Sequence, residues 1–233
     1  MKKQHFLIID TETTMTNKVV DFGAVVVDRK GNILNQCAVI VQGVYRVDEL
    51  FFNNQCADLW NSKKLAERYN NYDDHLKNGT RMLASVPAIN KWLERVNKKY
   101  DPIMTAYNLA FDVDKMRKTG IDCDMFQKSF CLMRSAQYYI AQKKAYKQFI
   151  LENHYFTNRT DYGNMSYRTT AEIMTHFLTG NDTPEPHTAL EDVIDYELPI
   201  FKHITSKMST KKMMDYKSIT WRDLQIKDNF TVK

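Results

Sequence analysis

The stretch His5-Phe6-Leu7-Ile8-Ile9-Asp10-Thr11-Glu12-Thr13-Thr14 runs through large apolar side chains and stops on two carboxylates one residue apart. A short apolar run near the chain start, bounded by polar residues, reads as a buried central strand. Side chains alternate along a strand, so Asp10 and Glu12 share one face at its carboxyl end. Two carboxylates that close raise each other's pKa, and both stay ionised when a cation lies between them. A divalent metal ion meets that need. Taken alone, the pair also fits the start of a solvated turn.

At 233 residues the chain is long enough to bury a full core without disulfides or a structural metal. One domain is expected over residues 1–233, with residues 207–233 as a basic, helical C-terminal extension. The balance of 33 Lys+Arg against 28 Asp+Glu leaves +5, which suits an anionic partner without requiring one. Cys37, Cys56, Cys123 and Cys131 form no CxxC pair and have no histidine at zinc-finger spacing, so reduced, buried thiols are expected. "MKK" before "FLII" is too short an apolar core for a signal peptide, and no later stretch reaches transmembrane length. A soluble, cytoplasmic protein without membrane contact is the expectation.

Working outward from the first strand, Val19 to Asp28 and Ile33 to Val41 read as two more, joined by the turn residues Arg29-Lys30-Gly31-Asn32. From Asp58 to Lys99 the pattern is that of two charged surface helices. Ser85 with Pro87 marks one start, and Val86, Ile89, Leu93, Val96 and Tyr100 recur at helical spacing. A fourth strand, Pro102 to Tyr107, leads into a helix from about Leu109 to Thr119. Lys128 to Leu132 supplies a fifth strand, and helices dominate to the end. The composite is an α/β domain with a mixed sheet.

Three further candidates stand on predicted helices. In "NLAFDVDKM", Asp112 flanks the apolar face made by Leu109, Val113 and Met116, while Asp114 points away. Asn108 as N-cap would put Asp112 in the first turn, where the helix dipole favours a carboxylate whether or not it has chemistry to do. In "PEPHTALEDVIDYELPIF", Thr188 and Glu191 match a capping box, leaving His187 just outside the helix. Asp192 flanks Ala189, Val193 and Tyr196, with Glu191 and Asp195 turned toward solvent. A surface histidine and a solvated helix charge explain His187 and Asp192 equally well one at a time.

In chain order, "DTETT", "NLAFD" and "HTALED" resemble the three motifs DxE, NxxFD and HxxxxD of the DnaQ-like DEDDh 3′-5′ exonucleases. "VVDFGAVVVDRKGNI" is similar to the segment that follows the first motif in that family. The resemblance spans about residues 5 to 198 and implies an RNase H-like fold, a five-stranded mixed sheet flanked by helices. It implies two divalent ions, Mg²⁺ or Mn²⁺. Asp10 would bridge them, Glu12 and Asp192 would complete the first, Asp112 would serve the second, and His187 would be the general base. Tyr107 departs from the histidine that many members carry before the Asn, and residues 43 to 101 do not align. Thr188 occupies the place where the DEDDy subclass has tyrosine.

The substrate implied is a nucleic acid strand with a free 3′ end, single-stranded, DNA in preference to RNA, releasing 5′-mononucleotides. A protein partner, if one is used, would act in trans. Asn108, Phe111, Lys143, Lys144 and Lys147 are the candidate substrate contacts. Between Tyr138 and Arg168 aromatic and basic residues interleave, which suits either stacking on unpaired bases or an amphipathic helix with a tyrosine-rich core face. Two rival readings remain. The apolar strand followed by DxE-T also resembles the opening of haloacid-dehalogenase phosphatases, with Asp10 as nucleophile. A nucleic-acid-binding module could keep the same fold without turnover.

Overall fold

The computed structural model describes residues 4–51, 59–159, 164–214 and 219–226. The chain begins as a meander, β1 (His5–Thr13), β2 (Val19–Asp28) and β3 (Ile33–Val41), where apolar runs are broken by polar turns. Helix α1 (Leu59–Lys77), the short β4 (Met82–Ala84) and α2 (Val86–Tyr100) follow, then β5 (Ile103–Ala106), α3 (Leu109–Thr119) and β6 (Ser129–Cys131). The remainder comprises α4 (Leu132–Tyr139), α5 (Lys144–Glu152), the hairpin β7 (Phe156–Arg159) and β8 (Asn164–Tyr167), and α6 (Ala171–Thr179). Helices α7 (Ala189–Asp192), α8 (Leu198–Lys207) and α9 (Thr210–Met214) complete it, with a 3-10 turn at Trp221–Leu224.

The main sheet runs β4-β3-β2-β1-β5-β6, with β1-β2 and β2-β3 antiparallel and β1-β5, β5-β6 and β3-β4 parallel. It has six strands where five were expected. The addition, β4, is three residues at an edge with Met82 and Leu83 exposed, so it carries no burial pattern to read. Helices dominate after residue 132 as expected, and the hairpin β7-β8 is an addition that was not anticipated. Much of the aromatic stretch from Tyr138 to Arg168 goes to core. Tyr146 is fully buried, and its ring meets Phe177 edge-on while Phe149 packs on His176.

The two faces of β1 feed two apolar clusters. Phe6 and Ile8 join Val25 and Val27 beneath α4, α5, α6 and α8, whereas Leu7 and Ile9 join Phe22, Ala24 and Val26 against α2 and α3. Burial on both faces is why the run contains no polar residue before Asp10. Helices α2 and α3 have the expected bounds, with Ile89, Leu93 and Val96 buried in α2.

Between α7 and α8 the helix widens into a π segment, Val193–Glu197, in which the Leu198 N–H reaches the Val193 carbonyl. Pro199 follows immediately and has no N–H for the usual i−4 bond, so the backbone adjusts around it. Cys37, Cys123 and Cys131 are free thiols, and Cys56 lies outside the described residues. So do residues 215–218 and 227–233 of the expected C-terminal extension; within it, α9 is helical and Ile226 N–H donates to the Met165 carbonyl. No helix among the described residues is long and apolar enough to cross a membrane.

Candidate active site

The end of β1 reaches past β5, whose last paired residue is Thr105 opposite Ile8. Asp10 and Glu12 therefore emerge beyond the carboxyl ends of two parallel strands, where α/β sheets open a crevice. They share the parity of Phe6 and Ile8 and face α7. Thr11, on the other face, donates from Oγ1 to Asp112 Oδ1 at 2.8 Å and so ties α3 to the strand end. Asp112 is 2 % exposed, while Asp114 is paired at the surface with Lys115 and Lys118.

Helix α7 is brought down by β2. Gly23 stands directly across from Asp10, and Asp21 across from Glu12. A Cβ on Gly23 would lie 2.3 Å from the Ala189 carbonyl carbon and the Leu190 nitrogen, so a bare backbone is what lets the helix sit here. Asp21, with no exposed surface, accepts from the Ala189 N–H at 2.9 Å. Arg81 approaches Asp21 at 3.5 Å and pairs with Glu191, so a buried acid and guanidinium join a half-buried Glu191. The capping box expected of Thr188 and Glu191 is absent: Thr188 is the N-cap, but its side chain makes no cap hydrogen bond. Arg81 holds the Glu191 carboxylate instead, and Asp21 of β2 takes the first N–H of the helix.

This anchoring places the last motif. Glu12, His187 and Asp192 each bring a ligand atom within 4.8 Å of the others, and His187 Nδ1 is 3.7 Å from Glu12 Oε1. His187 has φ 56° and Asn108 φ 80°, so two motif residues hold the left-handed conformation that non-glycine residues avoid. Asp10, Glu12, His187 and Asp192 line one cavity of about 550 Å³. Asp112 stands behind it, close enough that its charge is felt at Asp10.

The electrostatics are those of a crowded acid cluster. Burial, reinforced by Asp112, Glu197, Glu12 and Asp192, holds Asp10 well above the usual carboxylate range. Burial also pushes Asp112 up to about 7 and Asp192 to about 9. Glu12 behaves oppositely: burial raises it, but His187 and the Arg68 guanidinium more than offset this, leaving it lowered. The same Glu12 carboxylate lifts His187 above its ordinary 6.5.

Glu197, Glu185 and Arg68 belong to this site and carry no sequence signal that singles them out. Glu197 is 3 % exposed, lines the cavity and accepts from the Tyr107 N–H at 3.0 Å through Oε1. Five residues after Asp192 is the wrong face of an α-helix, but the π segment makes i+5 the next position on the same side. Pro199 was the available hint of an irregular turn. Arg68 Nη2 meets Glu12 Oε2 at 2.6 Å, and the Tyr72 hydroxyl donates to the His187 carbonyl at 3.3 Å. Both come from α1, within residues 43 to 101, where the family resemblance has no counterpart.

The candidate substrate contacts are not gathered with the acids. Asn108 lines a separate depression with Arg117 and Arg134, and Phe111 is exposed beneath the Lys115 ammonium. Lys143 lies over the Tyr139 ring and Lys147 over Tyr167; of these residues only Tyr167 lines the cavity, and Lys144 does not.

The donor set fits hard divalent cations. Its oxygens are carboxylate oxygens, and Asp192 Oδ1 and Glu197 Oε2 are buried with no hydrogen-bond partner among the described residues. The chain matches no protein-family model and no curated protein sequence. Among solved structures it is similar to exonuclease I in complex with the inhibitor BCBP, at 14 % identity and a TM-score of 0.51. The similarity covers 93 % of this chain but 44 % of that one, so this chain corresponds to less than half of its neighbour. The fold is RNase H-like.

Proposed function

We propose that this protein is a metal-dependent 3′-to-5′ exonuclease of the DEDDh kind, acting on single-stranded nucleic acid, DNA in preference to RNA. The observation that carries this is the convergence of Asp10, Glu12, Asp112, His187 and Asp192, from three separated stretches of chain, at the carboxyl end of β1 in an RNase H-like fold. Asp10, Glu12 and Asp192 would hold one Mg²⁺ or Mn²⁺ and Asp10 with Asp112 a second; when bound, such ions lower the pKa of water and stabilise a leaving oxygen.

The chain's own residues account for the rest. His187 is 59 % exposed at the mouth of the site, with Nδ1 turned to Glu12, so Nε2 is the atom that would take the proton from the attacking water. Water oxygen bonds to phosphorus, the bond from phosphorus to the preceding 3′ oxygen breaks, that oxygen takes a proton from solvent to become the new 3′-hydroxyl, and a 5′-mononucleotide leaves. Tyr167, Arg168 and Thr169 form a polar wall of the cavity, whose size is that of small-ligand pockets and suits one terminal nucleotide. The test is digestion of end-labelled single- and double-stranded DNA and RNA with Mg²⁺ or Mn²⁺, beside a covalently closed single-stranded circle. Linear strands should shorten from the 3′ end while the circle survives; a circle cut as fast as a linear strand would make this an endonuclease.

A further inference from the structure

Two arginines approach the acids, and they differ in kind. The Arg81 side chain is 1 % exposed and sealed between Asp21 and Glu191, away from the cavity. Arg68 is 19 % exposed and, among the described residues, is the one Lys or Arg ion-paired with any of Asp10, Glu12, Asp112 and Asp192. Its Nη1 is fixed on the Phe51 carbonyl at 2.9 Å, its Nη2 rests on Glu12 at 2.6 Å, and its buried Nε has no acceptor among the described residues. Tyr72 is a further hydrogen-bond partner, and Arg68 stands beside Glu12 without itself lining the cavity. A guanidinium offers five donors in a planar fork, so even with these contacts this one is not fully used.

We infer that Arg68 is a phosphate-binding residue of this site, held by Glu12 in the absence of substrate and transferred to the substrate's phosphate when a cation engages that carboxylate. The inference rests on the exonuclease reading. Its logic is charge balance. A cation held by Glu12 draws on the negative charge that now holds Arg68, and it leaves two positive groups facing each other. An anionic phosphate relieves that repulsion, and a guanidinium fork matches its oxygens. Arg68 should thus oppose metal binding on its own and favour strand binding once metal is present. These are opposite signs that a merely structural arginine would not produce.

The experiment uses the full chain and two readouts besides turnover. Calorimetric Mn²⁺ titration is done without nucleic acid on the parent, Arg68→Ala and Arg68→Lys. Binding of a single-stranded DNA oligonucleotide with Mn²⁺ is then measured over a range of salt in a His187→Ala background, which slows cleavage. Expected for Arg68→Ala is Mn²⁺ affinity raised several-fold, with oligonucleotide affinity reduced about tenfold or more. The salt slope should be smaller by about 0.7, the value of one single-strand phosphate contact. Arg68→Lys should recover part of the strand affinity, and Lys98→Ala, which removes an exposed charge at the end of α2, should alter neither readout. Weaker Mn²⁺ binding with an unchanged salt slope would reduce Arg68 to a residue that orders Glu12 and overturn the inference. If Arg68→Ala fails to melt cooperatively, Arg68→Lys and Arg68→Met decide by the same criteria. A parent that cleaves normally beside an indistinguishable Arg68→Ala refutes this inference alone; a parent that neither binds Mn²⁺ nor degrades any strand refutes the exonuclease reading and this one with it.

Discussion

Gly23→Ala tests how the site is assembled without touching an acid. The added methyl would sit 2.3 Å from two backbone atoms of α7, where real Cβ contacts stay beyond 3.0 Å, so strand and helix must separate by at least about 0.7 Å. Strand β2 is hydrogen-bonded to β1 and β3 on its two sides, so the helix is the partner that yields. The Asp21–Ala189 bond, now 2.9 Å, would open to roughly 3.6 Å, beyond a useful hydrogen bond. Overpacking of this kind costs about 1–3 kcal/mol. At roughly 2–4 °C per kcal/mol for a chain of this size, Tm should fall by about 2–12 °C. His187 and Asp192 ride on the displaced segment, and misplacing catalytic groups by about 1 Å costs up to roughly 10²-fold in rate. The assay pairs a thermal melt with single-turnover cleavage of an end-labelled oligonucleotide at saturating Mg²⁺. A variant with the parent's Tm and the parent's single-turnover rate would refute the claim that β2 sets the helix position.

Other outcomes follow from the same geometry. Asp10→Ala should remain folded and lose almost all nuclease activity, with metal-free stability held or raised because a repelled, buried carboxylate is gone; Asp114→Ala and Asp195→Ala should stay active in the same digestion. Asp112 and Asp192, raised to about 7 and about 9, bind protons in the folded state that the unfolded chain releases near its ordinary 3.8. Metal-free stability should therefore be highest in acid and fall as pH rises from about 4 to 9, a slope that calorimetry should find reduced in Asp192→Asn and by added Mn²⁺. His187→Ala should lower turnover by about 10²–10⁴-fold while metal binding persists. The parent's rate should rise with pH through a midpoint above 6.5, because the neutral imidazole is the base and Glu12 favours the charged form, and this limb should vanish in the variant. Replacing Lys143, Lys144 and Lys147 together by alanine should weaken strand binding and flatten its salt dependence.

The chain's local chemistry determined a good deal. Apolar runs ending in polar turns marked β1, β2, β3, β5 and β6, most plainly β1, β2 and β5, where burial on both faces leaves an almost continuous apolar run. Helical spacing gave α2 and α3, and the placement of Asp112 against Asp114 followed from their angle to an apolar face. The four acids and one histidine of the three motifs could be singled out as candidates because each stands at the end of a strand, on the edge of a helix or just before one. What only the tertiary structure decided lies where partners come from far along the chain. β4 and the β7-β8 hairpin are short and partly exposed, so their pairing leaves no periodicity. The capping box that Thr188 and Glu191 spell out does not form, because the Glu191 carboxylate is taken by Arg81 from across the fold while Asp21 holds the neighbouring Ala189 N–H. Glu197 reaches the acids through a widened helical turn, and Arg68 reaches Glu12 from 56 residues away. A strand or a helix face is written in neighbouring residues; the counter-charge that an acid meets across space is not.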